Sequence, residues 1–127
     1  MIIPDTSIWI EFFKKHEPYF SQLRDHLERQ EILVISSVFG ELLQGVKNNK
    51  EKEIILDYWK YLPKADETEL LVKAGEYSYQ NKFISKGVGI IDASIIIIAV
   101  NGNAAIWTLD QKLKRVVKRE SLYSQVG

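Results

Sequence analysis

The order of apolar and polar residues divides the chain into short strands and longer helices. Three short runs, residues 1–4, 31–37 and 104–109, are rich in apolar and β-branched side chains. Runs of this length and composition predict buried strands, and Pro4 limits the first of them. Elsewhere apolar residues recur three and four positions apart, which is the spacing of an amphipathic helix.

Seven helices are predicted between and after these strands. They cover residues 6–15, a segment from Pro18, a segment capped by Ser36 or Ser37, residues 50–62, about 66–86, a segment opened by Asp92, and residues 110–120. For the fifth helix, Asp66 and Glu69 have the spacing of a reciprocal N-terminal cap, and Gly87 is a stop signal. Alternating strands and helices predict an α/β fold, with a parallel sheet flanked by helices on both faces.

Length and composition narrow the class of protein. A chain of 127 residues predicts one domain, residues 1–127, with one core. A net charge of zero argues against a strongly basic nucleic-acid binder, and the absence of cysteine excludes disulfides, thiolate metal sites and cysteine nucleophiles. No signal peptide is visible, and the longest apolar run, 90–100, is shorter than the ~20 residues of a membrane span. We expect a soluble, cytoplasmic protein without a membrane partner.

One carboxylate interrupts the most apolar part of the chain. The stretch "GIIDASIIIIAV", Gly89–Val100, contains Asp92 among isoleucine, valine and alanine. Burying an unpaired ionised carboxylate is costly, so such a group shifts its pKa or acquires a cation. Asp92 is therefore a candidate catalytic or metal-binding residue.

Three further carboxylates are predicted near the same edge of the sheet. Asp5 and Asp110 follow strands directly, and Glu41 lies in the helix after the run 31–37. Ligands of open parallel sheets bind outside the carboxyl ends of the strands. Two like charges ~4 Å apart cost about 4 kcal/mol at an effective dielectric near 20, so such a cluster favours cations. Oxygen ligands without histidine or cysteine indicate Mg²⁺ or Mn²⁺, and such ions assist phosphodiester hydrolysis.

Each acid also has a plainer interpretation. Asp5, Asp92 and Asp110 each stand where a helix N-cap is expected. Glu41 lies inside a helix beside its apolar face and does not look like a cap, although it fits an edge residue that points to water. The case for a shared site rests on the combination.

Four segments resemble, in order and spacing, the acidic motifs of PIN-domain ribonucleases, most closely the VapC-type toxins of toxin–antitoxin pairs. They are "IIPDTSIWIEFF", "SSVFGELLQGV", "GIIDASIIIIAV" and "IWTLDQKLKRV". The resemblance implies a PIN-like three-layer sandwich and a metal-dependent endoribonuclease. It further implies a catalytic pocket holding one or two Mg²⁺ or Mn²⁺ ions, with Ser7 and Thr108 as supporting hydroxyls; the pocket acids would be Asp5, Glu41, Asp92 and Asp110.

The resemblance also implies partners. VapC-type proteins usually form homodimers, are inhibited by a small VapB-like antitoxin, and cut structured RNA such as tRNA or rRNA. This chain departs from the family pattern at Lys112 and Leu113, where many members have an acidic or histidine residue followed by phenylalanine.

The most basic tract of the chain follows Asp110. Lys112, Lys114 and Arg115 are candidates for contacts with an RNA backbone. An equally good interpretation is that these residues form a solvated helix face, where positive charges near the C-terminus interact favourably with the helix dipole.

Three other functions compete with a ribonuclease. A PIN-like module that binds RNA or protein without cutting has little physical reason to keep four mutually repelling acids. A haloacid-dehalogenase-like phosphatase needs a second aspartate where Ser7 stands. A nucleotide-binding module is opposed by the absence of a glycine-rich phosphate-binding motif.

Overall fold

The computed structural model describes residues 1–124 of the chain. Its strands are β1 (Ile2–Pro4) and β2 (Ala105–Trp107). Its α-helices are α1 (Thr6–Phe13), α2 (Tyr19–Glu28), α3 (Ser36–Gln44), α4 (Asn49–Tyr61), α5 (Leu70–Asn81), α6 (Ile90–Gly102) and α7 (Gln111–Val116), with 3₁₀ turns at Ile84–Lys86 and Arg119–Ser121.

The sheet is parallel and is built around the pair β1–β2. Ile3 lies opposite Ile106, and both side chains are fully buried. Single parallel bridges add one chain segment beyond β2 and two beyond β1; they join Ile2 to Ile32, Val34 to Lys64, and Ile106 to Leu122. The α/β fold with a parallel sheet flanked by helices is therefore confirmed.

The predicted strand 31–37 is reduced to two isolated bridges. Ile32 pairs with the β1 side, and Val34 pairs with the segment around Lys64. Because the run contacts one neighbour at one residue and the other neighbour two residues later, neither ladder grows long enough to form a strand.

The predicted cap of the fifth helix is wrong. Asp66 accepts a hydrogen bond from the Thr68 backbone N–H at 3.0 Å, and Glu69 has a left-handed backbone with φ of 53°. The helix therefore begins only at Leu70. It also ends before the predicted stop, at Asn81, where the next residue is again left-handed.

Glu67 takes over a capping role elsewhere. Its carboxylate accepts hydrogen bonds from the backbone N–H of Ser36 at 3.0 Å and from the Ser36 hydroxyl at 2.6 Å. Neither Ser36 nor Ser37 acts as the N-cap of α3, since that position belongs to Ile35. The start of α3 is thus held by a residue about thirty positions later.

Helix α6 lies deep in the molecule and packs along α5 and against β2. Ala93 and Ala99 are fully buried, as expected where small side chains allow close approach of neighbouring elements. On the other side of the fold, α1 packs against α2 and α3, with Trp9 fully buried. Within residues 1–124, no helix has the length and apolar character required to cross a membrane.

Candidate active site

Asp5 is the buried centre of the site. It follows β1, donates its backbone N–H to the Trp107 carbonyl at 2.9 Å, and is only 6% exposed. One carboxylate oxygen accepts hydrogen bonds from the Ser7 hydroxyl at 2.5 Å and from the Ile8 backbone N–H at 3.3 Å. The other accepts the hydroxyl of Thr108. Asp5 is therefore the N-cap of α1 and also the anchor between the two strands.

Two hydroxyls extend this network. The Ser7 hydroxyl oxygen accepts the Leu109 backbone N–H at 3.0 Å, and the Thr108 hydroxyl oxygen accepts the Asp110 backbone N–H at 2.9 Å. Burial raises the pKa of Asp5, while the hydrogen bonds from Ser7 and Thr108 oppose that rise. The network fixes the segment after β2 against the start of α1.

Asp92 is not a helix cap. It is the third residue of α6, whose N-cap is Gly89, so the capping interpretation of this acid is wrong. Its carboxylate is half-buried and has no hydrogen-bond or ion-pair partner in the described part of the chain. Its pKa is raised to about 6, chiefly by burial and further by the negative charges of Asp110, Asp5 and Glu41.

Asp110 and Glu41 lie at the solvent-exposed rim. Asp110 is the N-cap of α7, where its carboxylate accepts the backbone N–H of Lys112 at 2.8 Å and of Leu113 at 3.4 Å. Glu41, on α3, accepts the hydroxyl of Thr6 at 3.0 Å. Thr6 is not among the site residues predicted from the sequence. The signal that could have indicated it is its position between Asp5 and Ser7.

The negative charges of three of the acids thus act on the fourth, Asp92, and disfavour its ionised form. In residues 1–124 no lysine or arginine offsets the repulsion on Asp92, yet no three Asp, Glu or His side chains are close enough to form a ready-made metal cage. The donors are carboxylates and hydroxyls, which suit a hard divalent cation. Since Mg²⁺ keeps several waters when bound, carboxylates at this wider spacing fit an ion held partly through water.

The three basic candidates lie beside this rim on α7. Lys112, Lys114 and Arg115 are exposed, and none forms an ion pair with a described residue. The aliphatic part of Lys112 lies over Gly87, where an added Cβ would stand 3.6 Å from the lysine Cδ. Gly87 leads from the 3₁₀ turn toward α6, so Lys112 lies across the approach to the helix of Asp92.

An apolar cleft opens from the rim of the site. It has a volume of about 560 Å³, lies between α1, α3 and α4, and includes Glu41 in its lining. Lys14, Lys15 and Lys47 also line it. Its aromatic residues are Phe12, Phe13, Phe20 and Tyr58.

A second apolar surface lies along α5 and the start of α6. Val72, Tyr79 and Ile84 are between 77% and 87% exposed. We call this surface the α5 patch; it consists of Leu71, Val72, Tyr79, Ile84 and Ile90. Its last residue, Ile90, is the first residue of α6, the helix that also carries Asp92.

Comparison with known families places this fold in a defined class. Residues 2–119 match the PIN domain model, and the chain therefore belongs to the PIN domain family. Proteins of this family are generally nucleases. The family predicted from the four acidic motifs is confirmed.

Two solved structures share the fold. One is VapBC2 from Rickettsia felis bound to a DNA fragment from its promoter, with a TM-score of 0.70, 24% identity, and 96% of each chain covered. The other is FitAcB from Neisseria gonorrhoeae, with a TM-score of 0.59, 16% identity, and 91% of this chain and 92% of that chain covered. The comparison with curated proteins gave no significant match.

Proposed function

We propose that this PIN domain is a metal-dependent endoribonuclease that hydrolyses RNA phosphodiester bonds, and that it is the toxin of a type II toxin–antitoxin pair. The observation that carries the proposal is the state of Asp92. Its carboxylate is half-buried and forms no ion pair within the described residues, and three other acids contribute to raising its pKa to about 6. A folded chain keeps such a repulsive group most readily where a cation binds.

The proposed ligands are Asp5, Asp92, Asp110 and Glu41, for one or two Mg²⁺ or Mn²⁺ ions. When bound there, such an ion would supply Lewis-acid chemistry for phosphodiester hydrolysis and would lower the pKa of a nearby water. Asp5 is held for this role by the hydroxyls of Ser7 and Thr108.

We expect the side chains of the site to have different roles, according to their burial and their position. Asp5 is buried and rigidly hydrogen-bonded, which suits a fixed ligand. Asp110 and Glu41 are exposed at the rim, where an incoming phosphate and its waters would meet them first. Lys112, Lys114 and Arg115 lie beside the rim, where their charges would attract the RNA backbone.

The proposed protein partner is a VapB-like antitoxin. The two solved structures of the same fold are the VapBC2 and FitAcB structures, which supports an antitoxin partner. The cleft between α1, α3 and α4 has an aromatic lining that suits the apolar face of a short amphipathic helix. Its three lysines favour an occupant with acidic side chains, and a segment seated there would reach the site beside Glu41.

A homodimer is the proposed state of the toxin itself. The α5 patch exposes five large apolar side chains along α5 and the start of α6, and three of them, Tyr79, Ile84 and Ile90, line one shallow pocket. Exposed apolar patches of this kind mark interfaces more often than free surface.

The second candidate function is a PIN-like module that binds RNA or protein without cutting. It is favoured by one observation, the absence of three acids at metal-ligating spacing within residues 1–124. Both candidates predict RNA binding, but only the first predicts binding of a divalent cation that depends on Asp92.

Calorimetric titration of Mn²⁺ separates the two. The titration uses the wild-type protein, Asp92→Asn and the matched control Asp57→Asn, in which the altered acid is exposed on α4. A pool of structured RNAs is then incubated with each protein. We expect the wild type and the control to bind Mn²⁺ and cut RNA, and Asp92→Asn to lose both. Equal, weak Mn²⁺ binding by all three proteins, with RNA bound but uncut, would establish the binding module instead.

A further inference from the structure

We infer that Thr6 is a positioning residue that holds the Glu41 carboxylate in the orientation needed at the metal site. This inference rests on the proposed function. It begins from the hydrogen bond that the Thr6 hydroxyl donates to Glu41 at 3.0 Å, across 35 positions of the chain. Helices α1 and α3 are joined at the rim of the site by this bond.

Three consecutive residues at the start of α1 then serve three different parts of the site. Asp5 supplies the buried carboxylate, and Ser7 donates to it while accepting the Leu109 backbone N–H. Successive residues of an α-helix point about 100° apart, so the side chain of Thr6 leaves the helix in another direction from that of Ser7. That direction leads to α3 and Glu41.

The Thr6 hydroxyl donates to a distant carboxylate and not to a carbonyl of its own segment. A threonine inside a helix commonly bonds the carbonyl four residues earlier. For Thr6 that carbonyl belongs to Ile2, which already accepts the Leu33 backbone N–H at 2.9 Å within the sheet. Since Thr6 is the first residue of α1, its hydroxyl is available to Glu41.

Glu41 needs such a partner because little else restrains it. The side chain is exposed and has three rotatable bonds, and Thr6 is its hydrogen-bond partner among the described residues. The backbone of α3 is already held at its start by Glu67. With the helix backbone in place, the bond from Thr6 restricts the direction in which the Glu41 carboxylate points.

The test compares Thr6→Val, which keeps the β-branched shape and removes the hydroxyl, with Thr6→Ser, which keeps the hydroxyl. We expect Mn²⁺ affinity, measured by calorimetry, to fall about tenfold in Thr6→Val, the lower end of the effect of losing an outer partner of a metal ligand. Thr6→Ser should retain affinity within about threefold. Thermal unfolding without metal should be nearly the same for both, since Thr6 lies at the partly exposed first position of its helix.

A double-mutant cycle with Glu41→Ala identifies the route of the effect. If Thr6 acts through Glu41, Thr6→Val causes no further loss of Mn²⁺ affinity in the Glu41→Ala background. An undiminished loss in that background, or equal affinities of Thr6→Val and the wild type, would overturn the inference while leaving the metal site in place. Failure of the wild-type protein to bind Mn²⁺ would overturn the proposed function and this inference together.

Discussion

Replacing Asp92 by asparagine should stabilise the metal-free protein at neutral pH while abolishing its metal-dependent activity. Asparagine keeps the size of the side chain and removes the charge that burial and three acids disfavour. A pKa raised from 3.8 to about 6 corresponds to about 3 kcal/mol between the two protonation states. Because Asp92 is only half-buried, solvent and salt screen part of this, and about 1–2 kcal/mol is the expected gain.

The sign of the pH dependence follows from the raised pKa. The folded state holds the Asp92 proton more tightly than the unfolded state, so the wild type loses stability as the pH rises from about 4 past 6. Asp92→Asn lacks this loss. The two proteins should therefore have similar stability near pH 4 and differ most above pH 7.

Thermal unfolding in EDTA, followed by circular dichroism from pH 4 to pH 8, measures the difference. We expect Asp92→Asn to unfold about 3–10 °C above the wild type at pH 7.5, from a gain of about 1–2 kcal/mol and roughly 3–5 °C per kcal/mol for a domain of this size. Saturating Mn²⁺ should raise the melting temperature of the wild type and leave that of Asp92→Asn unchanged.

The control Asp57→Asn should follow the wild type at every pH, because Asp57 is exposed. An Asp92→Asn protein that is less stable than the wild type by the same amount at pH 4 and pH 7.5 would refute the reasoning. In that case the carboxylate would be a structural group whose contacts matter more than its charge.

Four further predictions address other parts of the molecule. Thr108→Val leaves the buried carboxylate of Asp5 without one donor, and we expect a loss of about 1–3 kcal/mol in urea unfolding, with an unchanged value contradicting the network. Glu67→Ala removes the hydrogen bonds at the start of α3 and should cost about 1 kcal/mol in the same assay. Lys112→Ala should weaken RNA binding and should reduce the slope of log affinity against log salt concentration by about one, the value for one phosphate contact. An unchanged slope would show that Lys112 does not contact the RNA backbone. Val72→Glu places a charge in the α5 patch and should shift the protein to a monomer in light scattering; a wild type that is itself monomeric would contradict the dimer.

Much of the fold was readable from the sequence because its signals are local. The strands at residues 2–4 and 105–107 lie in the predicted segments, and each of the seven helices overlaps its predicted segment, although α6 begins at Ile90 and not at Asp92. Apolar periodicity acts over a few residues, and it does not depend on how distant elements pack. The odd position of Asp92 was visible for the same reason, since an acid among isoleucines is anomalous in any fold.

The errors arose where a residue had both a local and a distant partner available. Asp66 and Glu69 have the spacing of a cap, but the chain there turns through a left-handed residue, and Glu67 reaches α3 instead. Hydrogen bonds of this kind depend on the placement of whole elements.

The sequence alone determined the class of fold, the family resemblance and the identity of the four acids. Only the tertiary structure decided that Asp92 is not a cap and that Thr6 contacts Glu41. It also decided that three other acids contribute to raising the pKa of Asp92. The physical reason is the range of the interactions. Helix and strand preferences act between near neighbours in the chain, whereas desolvation and repulsion between carboxylates arise only once packing has brought distant segments together.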